Sequence, residues 1–399
     1  MFSTRRTAPP ELVAVALFAI ATAVAVVARR LVLPESVLLV VVGLVGATVF
    51  PEMRFAVTPT LVLSVFVPGL VFAAAYAIEW NDLRAVLGPV LGLAGPGVVA
   101  SAAVVAVALS VIGLPIALAF VIGSITAATD PVAVVATMSR LHVPAGLRTL
   151  VEAESLLNDG TGLVLFALAV RAVTEGIGLG DGIVLFVITV VVSAVVGTAG
   201  AVIASRAIAA TGERTIQLAV TVVLAYGTYQ LAAAVGLSGI LATVVAGIVL
   251  GTAMRRSRSA TPVVDEVEDL WEVIAFALTS LVFLLIGFAI SLPGLGHAPL
   301  AIAVGTTAVV AARALMVYLP AQVIHVWRRA RPVPRGWAHV VFWSGLRGAI
   351  ALAAALSLPA DFPERELIQQ VSFGIVLVTL IMQGTTASLV VRRALPEAG

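Results

Sequence analysis

A helix that crosses a lipid bilayer needs about 20 mainly apolar residues, and this chain supplies such stretches almost from end to end. Short clusters of arginine, acid, glycine and proline separate them. Hydrophobic residues make up 61% of the 399 positions and charged residues only 11%. A water-soluble fold built from this composition would have an interior with almost no polar exterior to cover it. The fold class is therefore all-α integral membrane, because helices satisfy their own backbone hydrogen bonds in lipid. Apolar windows place helices near 11–29, 33–50, 57–78, 84–112, 115–138, 147–173, 182–208, 215–235, 238–253, 265–291, 298–325, 337–359 and 367–391, about thirteen in all. The run after Arg5 and Arg6 is long enough to span and lacks a small-residue cleavage site, so it reads as the first helix rather than a signal peptide. Nothing is left over for a soluble regulatory domain, and the chain reads as one membrane domain.

An odd number of helices puts the termini on opposite sides, and arginine chooses between the two orientations. All 23 basic residues are arginine. With the N-terminus outside, sixteen fall in cytoplasmic segments, among them Arg255, Arg256, Arg258, Arg328, Arg329 and Arg331. Five fall outside, namely Arg5, Arg6, Arg54, Arg171 and Arg365. A cytoplasmic C-terminus is expected. Thirteen helices also fit two inverted six-helix repeats with one helix between them, in which helix 5 corresponds to helix 12. The Pro- and Gly-interrupted segments SITAATDPVAVVATM and WSGLRGAIALAAALSLP occupy those two positions.

Most charges sit at predicted helix ends. Asp130, Glu154, Asp159, Arg313 and Arg347 do not, and an ionised side chain at membrane depth is costly unless it is paired or reached by water. In Thr129-Asp130-Pro131, Asp is a favoured helix cap, and Pro starts a helix well but cannot continue one. The fifth helix is expected to break here, freeing backbone groups of the kind that transporters use in ion sites. In the next helix, Ser155 and Asp159 are four residues apart and share one face, while Glu154 and Asn158 share the adjacent one. Hydroxyl and carboxylate oxygens suit a small hard cation, and a carboxylate also takes a proton, so Asp159 is a candidate shared site. Asn158, one of two asparagines in the chain, has a simpler use as a hydrogen-bond partner of Asp130. Three acids against two arginines leave one uncompensated negative charge, which one cation or one proton would neutralise. Such a count favours electroneutral one-for-one exchange.

The segments TDPVAVVATM, VEAESLLNDGTGLVLF, ARALMVY and GLRGAIALAAALSLP, in this order, resemble the sodium/proton antiporters of the NhaP and animal NHE type. The resemblance covers essentially the whole predicted membrane region. It implies a homodimer of thirteen-helix protomers in the plasma (inner) membrane, with scaffold helices, a moving ion-transport core that includes 115–173 and 298–391, crossing broken helices 5 and 12, and alternating access. It further implies Na+ held at Asp159, Ser155 and Thr129, and an Asn158–Asp130 pair holding the crossing. Glu154 is expected to form a buried ion pair with Arg313, with Arg347 offsetting exposed carbonyls at the break of helix 12. No cofactor beyond the transported Na+ and H+ is implied. One departure concerns FVPGLVFAAAYAIEW, where the family commonly has a glutamate and this chain has Ala73, which leaves the choice among Na+, Li+ and K+ open.

Two other classes compete with exchange. An intramembrane hydrolase needs a nucleophile beside a base at matching depth, yet the chain has no cysteine, and His142, His297, His325 and His339 fall in or near predicted loops. A cation channel or uncoupled transporter could also be built from carboxylates, and it would pass cations without moving protons. The run Asp265, Glu266, Glu268, Asp269 and Glu272 after the arginines at 255–258 reads as a solvated loop entering an interfacial helix end.

Overall fold

A computed structural model describes residues 10–31, 34–49, 58–141, 143–256, 261–290, 292–327 and 335–395. Arg5, Arg6, Arg54, His142, Arg258, Arg328, Arg329 and Arg331 lie outside them. Among the described residues every regular element is helical. The chain opens with α1 (Pro10–Leu31) and α2 (Glu35–Val49), and a wide π-helical turn at Leu61–Phe66 then leads into α3 (Val67–Ala77). A second such turn, Leu93–Gly97, joins α4 (Trp80–Gly92) to α5 (Val98–Val111). Next come α6 (Ile116–Ile125) and α7 (Val132–Met138), the halves of one interrupted segment, and the long α8 (Ala145–Thr174). Four more continuous helices follow, α9 (Leu179–Ala210), α10 (Arg214–Ala234), α11 (Gly239–Arg256) and α12 (Thr261–Ala289). A single turn, α13 (Leu292–Leu295), precedes α14 (Pro299–Trp327). The second interrupted segment is α15 (Arg335–Trp343) and α16 (Ala349–Leu356), and α17 (Arg365–Ala394) closes the fold.

Eight helical stretches, one of them the run Trp80–Val111 made of α4, the second wide turn and α5, are long and apolar enough to cross a membrane, and four shorter apolar ones accompany them. With the α15–α16 pair they make thirteen segments among the described residues. The two π-helical turns have a local cause. Pro68 and Pro96 lack the N–H of an ordinary helical rung, and their rings crowd the carbonyl four residues back; a widened turn relieves both. At the first turn the Val67 N–H reaches Val62 O, five residues back.

Packing in lipid depends on close approach rather than on expulsion of water. Where α2 crosses α12, Gly43 and Gly287 face each other, and a Cβ on Gly43 would sit 2.9 Å from the Gly287 Cα. A side chain on either helix would force the pair apart. α11 lies between α3 and α9 and is 61% buried along its apolar window, against 11% for α9. The valines and isoleucines of α9, such as Ile183, Val187, Val195 and Ile203, therefore form an outward apolar face. The acidic run at 265–272 is helical, in line with the helix expected from about residue 265, and α12 begins slightly earlier, at Thr261; within it Trp271 is buried and donates from Nε1 to Thr221 Oγ1 at 3.0 Å. Arg255 explains part of that order, since it pairs with Glu268 at 2.8 Å and also donates to the carbonyls of Tyr76 and Ile78 at the end of α3.

Candidate functional site

The two interruptions meet. The helical ladder of the first segment stops at Thr126 and resumes at Val132, and that of the second stops at Ser344 and resumes at Ala349. Backbone groups freed at membrane depth need partners, and here each break supplies the other's. Arg347 Nη1 donates to Ala127 O at 2.5 Å and to Ala128 O at 3.0 Å. The Asp130 N–H donates to Leu346 O at 2.8 Å. The Asp130 carboxylate accepts from the Val132 N–H at 3.1 Å and from the Ala349 N–H, so it sits at the N-termini of both α7 and α16. Two helix N-termini carry partial positive charge, which suits a carboxylate between them. Gly348 is required at this point, because a Cβ there would overlap the Asp130 carboxyl group.

Capping of α7 differs in detail from the sequence expectation: the helix starts at Val132, one residue later, with Pro131 as the flanking residue. A larger correction concerns Asn158. It does not pair with Asp130; its Nδ2 donates to Thr129 Oγ1 at 3.2 Å and to Glu154 Oε1 at 3.1 Å. The physical reason is that the Asp130 carboxylate is already turned toward the two helix ends. Glu154 in turn takes both guanidinium nitrogens of Arg313, Nη1 to Oε1 at 2.7 Å and Nη2 to Oε2 at 3.0 Å, with both side chains buried. Bidentate geometry of this kind is the strongest form of the ion pair. Arg313 Nη2 also donates to Val341 O at 2.9 Å, which ties α14 and α8 to the end of α15.

On the neighbouring face of α8 the arrangement is different. A cavity of about 680 Å³ is lined by Thr129, Asp130, Ser155 and Asp159, and it extends to the exposed Arg148, Glu268 and Glu272. Ser155 Oγ donates to Thr129 O at 2.5 Å, so its proton is engaged and its lone pairs are left free. Thr129 Oγ1 accepts from Asn158 and retains a second lone pair. Asp159 makes no hydrogen bond and no ion pair among the described residues, and it is only partly buried. An unpaired carboxylate flanked by two oriented hydroxyl oxygens and reached from a cavity is able to hold either a small cation or a proton. Ala73 lines the same cavity. Sequence reasoning did not find Glu152, Glu268, Trp271 and Glu272 as cavity residues, since their positions follow from how α12 lies beside α8. Of the histidines, His339 shares a hydrogen bond with Tyr318 at 2.8 Å, and His297 lies in a turn; neither lines the cavity.

A family model for the transmembrane region of sodium/hydrogen exchangers matches residues 13–393. The chain belongs to the sodium/hydrogen exchanger family. It is 34% identical over 380 residues to the Na+/H+ antiporter ApNhaP of Aphanothece halophytica, covering 90% of this chain and 70% of that one. It is 30% identical over 400 residues to the Na+/H+ antiporter NhaH of Halobacillus dabanensis, covering 94% and 96%. Its fold is similar to that of the sodium proton antiporter MjNhaP1 from Methanocaldococcus jannaschii, with a TM-score of 0.77 at 18% identity, covering 96% of this chain and 97% of that one. As an exchanger-family protein it is a multi-pass membrane transporter rather than an enzyme.

Proposed function

We propose that this exchanger-family chain trades Na+ for H+ across the membrane, with the two ions competing for the Asp159 carboxylate. The observation that carries the reading is the solitary state of that group: of the five intramembrane charges, Asp159 alone has no protein partner among the described residues. Thr129 and Ser155 supply neutral oxygens beside it. Glu154 and Arg313 cancel each other, and Arg347 and Asp130 serve backbone groups, so the net interior charge of minus one belongs to the cavity. One Na+ or one H+ neutralises it, which makes the exchange one-for-one and electroneutral. Alternating access follows if the helices at 115–173 and 298–391 move as a transport core against the remaining scaffold. The orientation suggested by arginine, N-terminus outside and C-terminus cytoplasmic, makes the cavity inward-facing in a plasma-membrane homodimer. Relatives named as Na+/H+ antiporters support the ion pair.

Proteoliposomes test this directly. Sodium added outside is expected to release protons from wild type without shifting the unclamped membrane potential and at a rate that a potassium clamp leaves unchanged, and raising the pH is expected to lower the apparent KM for Na+ while the maximal rate stays constant. Sodium flux with no proton movement would convert the protein to a channel or uncoupled transporter. A potential that shifts with every turnover would overturn the one-for-one ratio. Parallel trials with Li+ and K+ settle the choice that Ala73 leaves open.

A further inference from the structure

Thr129 also borders a second and much smaller pocket, of about 10 Å³. Ser101, Asn158, Arg313 and Arg347 line it, and each of the four is more than nine-tenths buried. Each also carries one buried polar atom with no hydrogen-bond partner: Ser101 Oγ, Asn158 Oδ1, Arg313 Nε and Arg347 Nε. Buried polar atoms are nearly always partnered, so four orphans among the residues that line one small pocket call for a shared ligand.

The donor set identifies its chemical class. Asn158 Nδ2 is committed to the Glu154 carboxylate and to Thr129, which fixes the amide orientation and leaves the oxygen for the pocket. That oxygen repels an anion, and the two guanidinium N–H groups repel a cation. What remains is a neutral molecule that accepts twice and donates twice. The volume is sufficient for roughly one water and nothing larger.

We propose that this pocket is a built hydration site holding a single ordered water, which accepts from Arg313 Nε and Arg347 Nε and donates to Asn158 Oδ1 and Ser101 Oγ. The water is then the positioning element: it holds the Asn158 amide, and through the amide the Thr129 hydroxyl at the edge of the ion cavity, while Ser101 is one replaceable wall of its site. The inference does not depend on which cation is exchanged.

The full-length protein in nanodiscs, imaged finely enough to show ordered solvent in chloride-free buffer and again in chloride, gives the direct test. One peak bridging Asn158 Oδ1 and Arg347 Nε, unchanged between the two buffers, is the expected result. A dry pocket, or a peak present only with chloride, overturns the proposal. Two substitutions add a functional test. Ser101→Ala leaves room for the water, and exchange is expected to stay within about twofold of wild type, whereas Ser101→Val fills the pocket, strands the buried donors and lowers exchange by about tenfold. A site that merely packed would show the same loss in Ser101→Val through overpacking, but with no ordered peak in the wild-type map, which overturns the proposal. Equal tolerance of Ala and Val also overturns the proposal, and if the Val variant fails to fold the wild-type map decides alone.

Discussion

Glu154 and Asp159 are five residues apart on α8 and meet opposite fates. Glu154 is buried and receives two nitrogens of Arg313 and one of Asn158, so its charge is spent within the protein. Asp159 faces the cavity with no partner at all among the described residues. One face of the helix is a closed polar joint, and the other is an open valence waiting for an ion. Rigidity and exchange thus both come from carboxylates, separated by about two-fifths of a helical circumference and by what stands opposite.

That contrast can be broken in graded ways. The largest expected effect is at the open face: Asp159→Asn removes the exchangeable charge, and proton release driven by Na+ should fall to the level of empty liposomes, while the melting temperature stays at or above that of wild type. Retained exchange in that variant would move the ion site elsewhere. At the closed face, Glu154→Ala leaves Arg313 buried without its counter-ion, at a cost of about 3–5 kcal/mol, which should show as poor recovery of folded protein. The double variant Glu154→Leu with Arg313→Met removes both charges and should recover most of that stability without needing Asp159. At the crossing, Gly348→Ala places a methyl against the Asp130 carboxyl group and should slow exchange with little change in apparent KM for Na+. The smallest effect is expected for Ser155→Ala. It deletes one neutral oxygen ligand, worth about 0.5–1.5 kcal/mol, so the KM for Na+ should rise several-fold at an unchanged maximal rate. If the change falls on the maximal rate instead, the hydroxyl serves the Thr129 carbonyl rather than the ion.

The first break was legible in Thr129-Asp130-Pro131, which caps and starts a helix better than it continues one, whereas the second was implied chiefly by the family resemblance of the GLRGA stretch. The thirteen segments were legible from hydropathy alone, since the charged and Gly/Pro clusters fall between the spans. The pairing of Asn158 was not. Spacing shows which face a side chain occupies, but not that Asp130 is already held by the ends of α7 and α16, which arrive from distant parts of the chain. Ser101 carried no signal either. It sits in an alanine- and valine-rich run on α5, and only the fold brings it to Arg347. That a helix covers the acidic run at 265–272 was legible, but the contacts that hold it were not, because Arg255 and Thr221 lie outside the local window.

The mutual bonding of the two breaks also has a consequence for biosynthesis. Arg347 is 220 residues downstream of the Ala127 carbonyl it satisfies. When the fifth segment leaves the ribosome, its partner has not been made, and its unwound carbonyls have no donor in the hydrocarbon. Six further segments must be inserted before the one that carries it. The first break therefore has to wait in contact with water or with the insertion machinery, and the crossing is among the last parts of the protein to mature. A chain truncated before the twelfth segment should remain a target for quality-control proteases even though its first eleven segments are apolar enough to stay in the membrane.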